Sequence, residues 1–268
     1  MKGRIAVVGG NGPSLARIAS GCVLSGDMAF RTNNFFFEPQ YFLGRRVDMA
    51  VMAGDPRVAP FMFETLWRCR KDYELAAWTS HNPAVIRAGR RRFKSLFRPM
   101  NYRDAHIEQA VRSLMARHDR KPMTGTYAVL MAHGMGVNRI VLAGFDMYGG
   151  GQRYIYRPGP QCRALMGQDL GHRGTDERLH APDLDRAILE ALMQRGDVSL
   201  WRASDQTMLD DLLPLAPQRD GAVCAATPRK APTDWALRSG FYDIRMLRAL
   251  RHLRGWAGYL DKMRGRQC

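Results

Sequence analysis

The first fifteen residues constrain the fold more than any other part of the chain. The apolar run from Ile5 to Val8 is followed at once by the glycine-rich turn Gly9 to Gly12 and by Pro13. A short apolar run bounded by glycines is typical of a buried strand. Proline is favoured in the first turn of a helix, where its missing N–H costs nothing. The segment therefore predicts a strand, a tight turn and a helix.

The same alternation continues along the chain. Further strands are predicted at Phe30 to Asn34, Val47 to Met52, Arg139 to Gly144 and Val198 to Arg202. Helices are predicted at 126–136, Asp183 to Met193 and Leu209 to Leu213. Strands that alternate with helices predict an α/β fold with a mostly parallel sheet and helices on both faces.

Two regions interrupt this pattern and set the expected domain organisation. Residues 157–180 are rich in Gly, Arg and Asp without periodicity, which predicts a long loop or lid. Residues 217–234 carry Pro, Arg and Thr and are interpreted as a linker. We therefore expect a catalytic domain at 1–218, with a lid at about 155–182, and a basic helical segment at 219–268.

Charge and cysteine usage limit the classes of partner and compartment. The 268 residues include 41 Lys and Arg against 25 Asp and Glu, a net charge of +16. A charge of this size indicates an anionic partner: nucleic acid, a membrane surface or a phosphate-bearing substrate. Five cysteines without a C-x-x-C pair argue against a disulfide framework or a zinc site and favour the cytoplasm. No apolar stretch is long enough for a signal peptide or a membrane span.

The glycine turn is a candidate phosphate site. Ligands of open α/β sheets bind outside the carboxyl ends of the strands, where a helix N-terminus offers free N–H groups to an anion. Gly10, Asn11 and Gly12 occupy such a point. A dinucleotide fingerprint is disfavoured because Leu15 replaces its third glycine and Asn33 follows the second strand in place of an acid. A turn with a purely structural role remains the alternative.

An ordered set of motifs resembles one enzyme family. The motifs are Gly10 to Leu15, Phe30 to Glu38, Tyr41 to Gly44, Met123 to Tyr127, Ile140 to Tyr148 and His180 ahead of the helix Leu184 to Leu192. Together they resemble the bacterial lipooligosaccharide sialyltransferases, glycosyltransferase family 42, over about 150 residues.

This resemblance implies a GT-A-like, Rossmann-type fold and an inverting transfer of sialic acid from CMP-sialic acid, without a metal or other cofactor. The acceptor would be the terminal sugar of a lipid-linked lipooligosaccharide or of a capsule glycan, and the enzyme a homo-oligomer. The implied donor-binding residues are Gly10, Asn11, Gly12, Asn33 and Asn34 for CMP, with Thr124 and Gly125 beside the sialic acid carboxylate. Tyr148 and Tyr154 would hydrogen-bond the departing phosphate, Lys121 would lie on the acceptor side, and His180 would be the general base.

The chemistry of these residue types agrees with those roles. A leaving CMP develops negative charge, which hydroxyl donors stabilise. An imidazole with a pKa near 6.5 suits proton removal from an acceptor hydroxyl at neutral pH. Two alternatives remain open: Tyr148 as a packing aromatic, and His172 as the base.

Other residues depart from the family pattern or offer a rival function. Asp55 and Met123 stand where the family has other residues, so a non-catalytic CMP- or glycan-binding relative is one alternative. Asp183 and Asp185 form a D-x-D, but their position favours helix capping over metal binding.

Two basic regions complete the sequence. The cluster Arg90 to Arg98 could serve a nucleic-acid-associated protein, although we favour a solvated basic face and expect no nucleic acid partner. Phe241 to Met263 has the spacing of a basic amphipathic helix. Such a helix suits the anionic inner face of the cytoplasmic membrane, so the protein is expected to be cytoplasmic and peripheral; a packed terminal helix is the alternative.

Overall fold

A computed structural model of the chain describes residues 3–53, 55–149, 151–172, 174–175 and 180–237, together with positions 246 and 249. The strands are β1 Ile5–Gly9, β2 Met28–Thr32, β3 Gln40–Tyr41, β4 Arg46–Val47, β5 Met49–Val51, β6 Glu74–Leu75, β7 Trp78–Thr79, β8 Arg139–Ala143, β9 Ser199–Arg202 and β10 Thr227–Pro228. The α-helices are α1 Ala59–Arg68, α2 Pro83–Phe93, α3 Ala105–His118, α4 Thr124–Gly134, α5 Pro160–Met166 and α6 Pro182–Met193. Short 3-10 helices cover Pro13–Arg17, Phe35–Phe37 and Lys94–Leu96.

Six strands form a parallel sheet in the order β7-β5-β2-β1-β8-β9. The central strand β1 is buried along its whole length and pairs with β2 on one side and with β8 on the other. After β1 the chain forms β2, β5 and β7 on one side of β1, and only then β8 and β9 on the other side. The strand order therefore reverses at β1. A crevice opens at such a point beyond the carboxyl ends of the strands.

Alternate residues of β1 face two different apolar cores. Ala6 and Val8 pack with helices α3, α4 and α6, whereas Ile5 and Val7 pack with Leu15 of the first 3-10 helix. Toward the β7 edge, α1 and α2 cover the same face of the sheet as Ile5 and Val7. The expected α/β fold, a parallel sheet covered on both faces, is confirmed.

Several predicted elements differ from the observed ones. The expected helix after the glycine turn is only a five-residue 3-10 helix. The predicted strand Val47 to Met52 is divided between β4 and β5, which belong to different sheets. The predicted helix Leu209 to Leu213 is wrong, because those residues form turns.

The predicted linker at 217–234 is also wrong. Arg219 forms an ion pair with Asp27 at 2.6 Å, and β10 pairs with β3. Trp235 is buried against Phe61, with ring centroids 6.4 Å apart. This segment therefore packs onto the domain. The boundary at 218 stays a prediction, and the amphipathic stretch 241–263 lies outside the described residues apart from 246 and 249.

The basic cluster has the arrangement of a solvated face. Helix α2 begins at its cap Asn82 and ends with Arg90, Arg91 and Arg92, all exposed, whereas Phe93 is buried. Arg92 also pairs with Glu64 at 2.8 Å. Of the helices described, none is both long and apolar enough to cross a membrane.

Candidate functional site

A pocket that opens to solvent lies at the carboxyl ends of β1, β2 and β8. All the predicted site residues except Lys121 and His180 line it, namely Gly10, Asn11, Gly12, Asn33, Asn34, Thr124, Gly125, Tyr148 and Tyr154. The remaining walls come from the start of α4 and from the segment after β8. The sheet thus gathers predicted residues that are up to 144 positions apart in sequence, from Gly10 to Tyr154.

The glycine turn is bonded to the loop after β8. The N–H groups of Gly10 and Gly12 donate to the carbonyls of Ala143 and Gly144, at 2.8 and 3.0 Å. The N–H and hydroxyl of Ser14 both donate to Asp146 Oδ2, at 3.1 and 2.9 Å. Protein acceptors therefore already occupy the N–H groups of Gly10, Gly12 and Ser14, and of the three predicted turn residues Asn11 alone keeps an N–H without an acceptor in the described part of the chain.

The two glycines permit this close approach between loops. A Cβ at Gly10 would lie 2.2 Å from the Gly144 carbonyl oxygen, and one at Gly12 would lie 1.9 Å from Asp146 Oδ2. Neither distance is tolerated by a side chain. The missing side chains therefore make room for the protein's own loop.

Asn11 and Asn33 hold the ends of neighbouring strands together. Asn11 Nδ2 donates to the Thr32 carbonyl at 2.9 Å, which leaves its buried Oδ1 without a partner among the described residues. Asn33 donates to Thr124 Oγ1 and accepts from the Ala53 N–H, both at 2.9 Å. Asn11 therefore keeps one amide oxygen unpaired within the described structure, whereas the Asn33 amide bridges β2, β5 and α4.

Asn34 is held by the C-terminal part of the domain. Its Oδ1 accepts a hydrogen bond from Trp235 Nε1 at 3.1 Å, and its side chain also hydrogen-bonds the Tyr156 hydroxyl. Burial raises the pKa of Tyr156, so this hydroxyl stays protonated. Asn34 thus connects the pocket wall to the buried segment around Trp235.

Asp185 fixes the start of α4. Its buried carboxylate accepts from the Met123 N–H at 2.8 Å, and burial raises the pKa of Asp185 to about 7. It does not cap its own helix, because the cap residue Ala181 has no side-chain bond and Asp185 points to α4. The capping prediction is therefore wrong for Asp185, whereas Asp183 is exposed in the first turn, as a dipole role requires. The described residues contain no group of three His, Cys, Asp or Glu that could hold a metal.

The two predicted tyrosines flank an arginine that sequence reasoning missed. Arg153 is 6 % exposed, and its guanidinium carbon lies 3.8 Å from the Tyr148 ring centroid and 5.6 Å from that of Tyr154. The signal available in the sequence was its position directly before Tyr154. Burial raises the pKa of Tyr154, which keeps this hydroxyl a hydrogen-bond donor at neutral pH.

The remaining predicted residues lie outside the pocket lining. The His180 ring is 5.3 Å from the Tyr148 ring, so the histidine adjoins the tyrosine without lining the pocket. Lys121 is exposed; burial and the charge of Lys121 together lower the pKa of His81 to about 4. Asp55 is bound by the Arg57 guanidinium and does not line the pocket.

An open parallel sheet with its pocket at the strand-order reversal defines a Rossmann-type α/β fold. The structure is similar to that of the monofunctional α-2,3-sialyltransferase Cst-I from Campylobacter jejuni, with a TM-score of 0.76, 17% identity and coverage of 98% of this chain and 97% of that chain. It is similar to the C. jejuni sialyltransferase CstII in complex with CMP-3FNeuAc (TM-score 0.73, 19% identity, 88% of this chain and 95% of that chain). It is also similar to CstII with a trisaccharide acceptor and CMP (TM-score 0.67, 19% identity, 88% and 96%).

No protein-family profile matches the sequence, and a search of curated proteins found no match. At these identities the likeness shows the fold. It confirms the GT-A-like architecture and the resemblance to sialyltransferases that the motifs indicated.

Proposed function

We propose that the protein is an inverting, metal-independent glycosyltransferase. It moves sialic acid, or a related ulosonic acid, from a CMP-sugar to the terminal sugar of a lipooligosaccharide or capsule glycan. One observation carries the proposal: the pocket at the strand-order reversal collects Asn11, Asn33, Thr124, Tyr148 and Tyr154 in a fold shared with sialyltransferases in complex with CMP.

The pocket offers matching groups to such a donor. Asn11 Oδ1, which has no partner among the described residues, accepts from an amino or hydroxyl group of the cytidine. Helix α4 begins at Thr124, and the positive end of its dipole favours the sialic acid carboxylate beside Thr124 and Gly125. The hydroxyls of Tyr148 and Tyr154 donate to the phosphate oxygens.

The reaction follows from these positions. The acceptor hydroxyl oxygen forms a bond to the anomeric carbon while the bond from that carbon to the phosphate oxygen breaks. The bonding pair leaves with the phosphate, so CMP departs with one more negative charge. His180 takes the proton of the attacking hydroxyl, and attack opposite the leaving group inverts the anomeric centre.

The finer partner assignments belong to the same proposal. The acceptor is lipid-linked, and the enzyme works in the cytoplasm at the inner face of the membrane as a homo-oligomer. Lys121 acts on the acceptor side, since it is exposed and outside the donor pocket. These assignments rest on the resemblance and on the basic sequence.

The first test measures CMP release from CMP-sialic acid, with a galactose-terminated acceptor and EDTA present. We expect release with the wild-type chain. We expect His180→Ala to reduce turnover by about 10²- to 10⁴-fold, the range for loss of a general base, while CMP binding by calorimetry is kept.

His172→Ala is the matched control, since this histidine is exposed in the same segment and should retain wild-type turnover. Wild-type turnover in His180→Ala, or its loss in His172→Ala, would contradict the base assignment. CMP binding without release from CMP-sialic acid or another CMP-sugar would point to the non-catalytic relative. A strict requirement for Mn²⁺ would contradict metal independence.

A further inference from the structure

The described lining of the pocket contains one cationic side chain. Among its described lining residues only Arg153 is a lysine or arginine, and the one carboxylate there, Asp146, already accepts from Ser14. Lys121 lies outside the lining. Apart from the positive end of the α4 dipole, the positive charge that the described lining offers to a ligand comes from Arg153.

Arg153 is held at the pocket by aromatic rings. Its guanidinium lies over the face of Tyr148 and near that of Tyr154. It also hydrogen-bonds the Tyr148 and Tyr154 side chains and makes a long contact of 3.4 Å from Nη1 to the Gly174 carbonyl. Stacking of this kind fixes the plane of a guanidinium without satisfying its charge. The group is oriented, but no anion neutralises it within the described part of the chain.

Two other buried arginine side chains, Arg31 and Arg229, each pair with a carboxylate. Arg31 forms a two-point pair with Glu38, at 3.2 and 2.7 Å, and both side chains are about 1 % exposed. Arg229 pairs with Asp72 at 2.7 Å. Arg153 is also buried, yet no carboxylate among the described residues pairs with it. Because an unpaired buried charge is costly, its partner is expected to be an anion that enters the pocket.

Most N–H groups of the glycine turn are not available to bind a phosphate. The N–H groups of Gly10, Gly12 and Ser14 bind the loop after β8, so the glycine turn does not supply them to a phosphate. Tyrosine hydroxyls are neutral donors. The start of α4 lies beside Thr124 and Gly125, so near Tyr148 and Tyr154 the full positive charge that a phosphate meets among the described lining residues is that of Arg153.

We propose that Arg153 binds the phosphate of the CMP-sugar donor between Tyr148 and Tyr154. This inference rests on the proposed function and adds the group that stabilises the charge of the leaving CMP. As the bond from the anomeric carbon to the phosphate oxygen breaks, the electron pair moves onto that oxygen. Arg153 donates hydrogen bonds to the phosphate and keeps its own proton throughout.

The test compares CMP with cytidine, which lacks the phosphate. We expect the wild-type chain to prefer CMP, and Arg153→Gln to lose about 10- to 100-fold in CMP affinity, the range for a charge-assisted hydrogen bond. Cytidine affinity should stay within about 2-fold, since nothing in the proposal links Arg153 to the nucleoside. Calorimetry or competition binding measures both.

Two further variants keep the test decisive. Arg157→Gln removes an exposed arginine four positions away and is expected to leave both affinities unchanged. Arg153→Met keeps an unbranched chain between the two rings, so it covers the case in which Arg153→Gln does not fold. We expect Arg153→Met to be at least as stable as the wild type without ligand, because it removes a buried charge that no described carboxylate pairs with, and to lose the preference for CMP.

The outcomes separate this inference from the proposed function. If the neutral variants keep the preference for CMP, or lose CMP and cytidine alike, Arg153 does not bind the phosphate and only supports the pocket. If the neutral variants lose the preference for CMP over cytidine, but the wild type releases no CMP from any CMP-sugar, Arg153 still binds the phosphate and the transferase proposal fails. If the wild type binds neither compound, both fail.

Discussion

Three pocket residues other than glycine have a left-handed backbone. The φ angles are +45° for Asn33, +44° for Met147 and +63° for Tyr148. Each such residue costs about 1–3 kcal/mol and persists only where surrounding contacts hold it. For Asn33 these contacts are the amide hydrogen bonds to Thr124 and Ala53; for Tyr148 they are the rings and the guanidinium around it. Strain collected at one pocket supports its assignment as the functional site.

The raised pKa of Asp185 predicts a pH-dependent stability. Below about pH 4 this carboxyl is protonated in both the folded and the unfolded chain. Between about pH 4 and about pH 7 only the folded chain keeps the proton, because burial raises the pKa of Asp185 to about 7. The contribution of Asp185 to the free energy of unfolding therefore falls as the pH rises through this interval, by up to about 1.4 kcal/mol per pH unit.

Asp185→Asn removes this titration while an amide oxygen still accepts from the Met123 N–H. We expect the variant to gain stability relative to the wild type between pH 5 and pH 8, as measured by urea unfolding at both pH values. Asp183→Asn, in the exposed first turn of the same helix, is the control and should show no such trend. A constant difference between Asp185→Asn and the wild type across this range would contradict the prediction.

At the scale of elements, the turn after β1 and the loop after β8 form one unit. A Cβ on Gly10 would meet the Gly144 carbonyl oxygen, which is backbone and cannot turn away. We expect Gly10→Ala to push the loops apart, at a cost of about 1–3 kcal/mol in unfolding free energy, and to weaken CMP binding. Thermal unfolding and calorimetry measure the two effects.

Gly26→Ala is the matched control for this substitution. A Cβ at Gly26 would have no heavy atom within 4 Å, so the variant should keep both the stability and the CMP affinity of the wild type. Equal behaviour of the two variants would show that the contact between the loops does not shape the pocket.

The sequence predicts the central elements well because each carries its own local signal. The strands β1 and β8 are buried on both faces and show as unbroken apolar runs, and α6 shows its apolar periodicity. Local signals do not reveal partners, which is why Asp185 reads as a helix cap although it binds Met123, across 62 positions of sequence. Arg153 was missed for the same reason, since only the fold shows that no carboxylate among the described residues pairs with it. The predicted motif residues still converge on one pocket, because parallel strands end at the same edge of a sheet.

At the scale of the whole molecule, several side chains of residues 219–237 pack onto the preceding part of the chain. Asp234 accepts from the N–H groups of Gln161 and Cys162 at the start of α5, at 2.6 and 3.1 Å. Trp235 packs against Phe61 and donates to Asn34 in the pocket wall. The functional site therefore depends on a segment that the composition alone assigns to a linker.

Two truncations test how far the domain extends. We expect a chain of residues 1–238 to keep the thermal stability and CMP affinity of the full chain, because it retains Asp234 and Trp235. A chain of residues 1–218 loses the buried Trp235, and removal of a buried aromatic side chain alone costs about 3–5 kcal/mol. Equal melting temperatures for these two chains would return the boundary to 218.

The chain of residues 1–238 also tests membrane association. The stretch 241–263 combines an apolar face with five cations, Arg245, Arg248, Arg251, Arg254 and Lys262. Each cation near an anionic bilayer contributes about 1 kcal/mol. We expect the full chain to co-sediment with vesicles that contain anionic lipid, less so at high salt, and the chain of residues 1–238 to stay in the supernatant. Co-sedimentation of the truncated chain would instead assign binding to the basic face of α2, where Arg90 and Arg91 are exposed, and an Arg90→Gln, Arg91→Gln variant of it would then lose the vesicles.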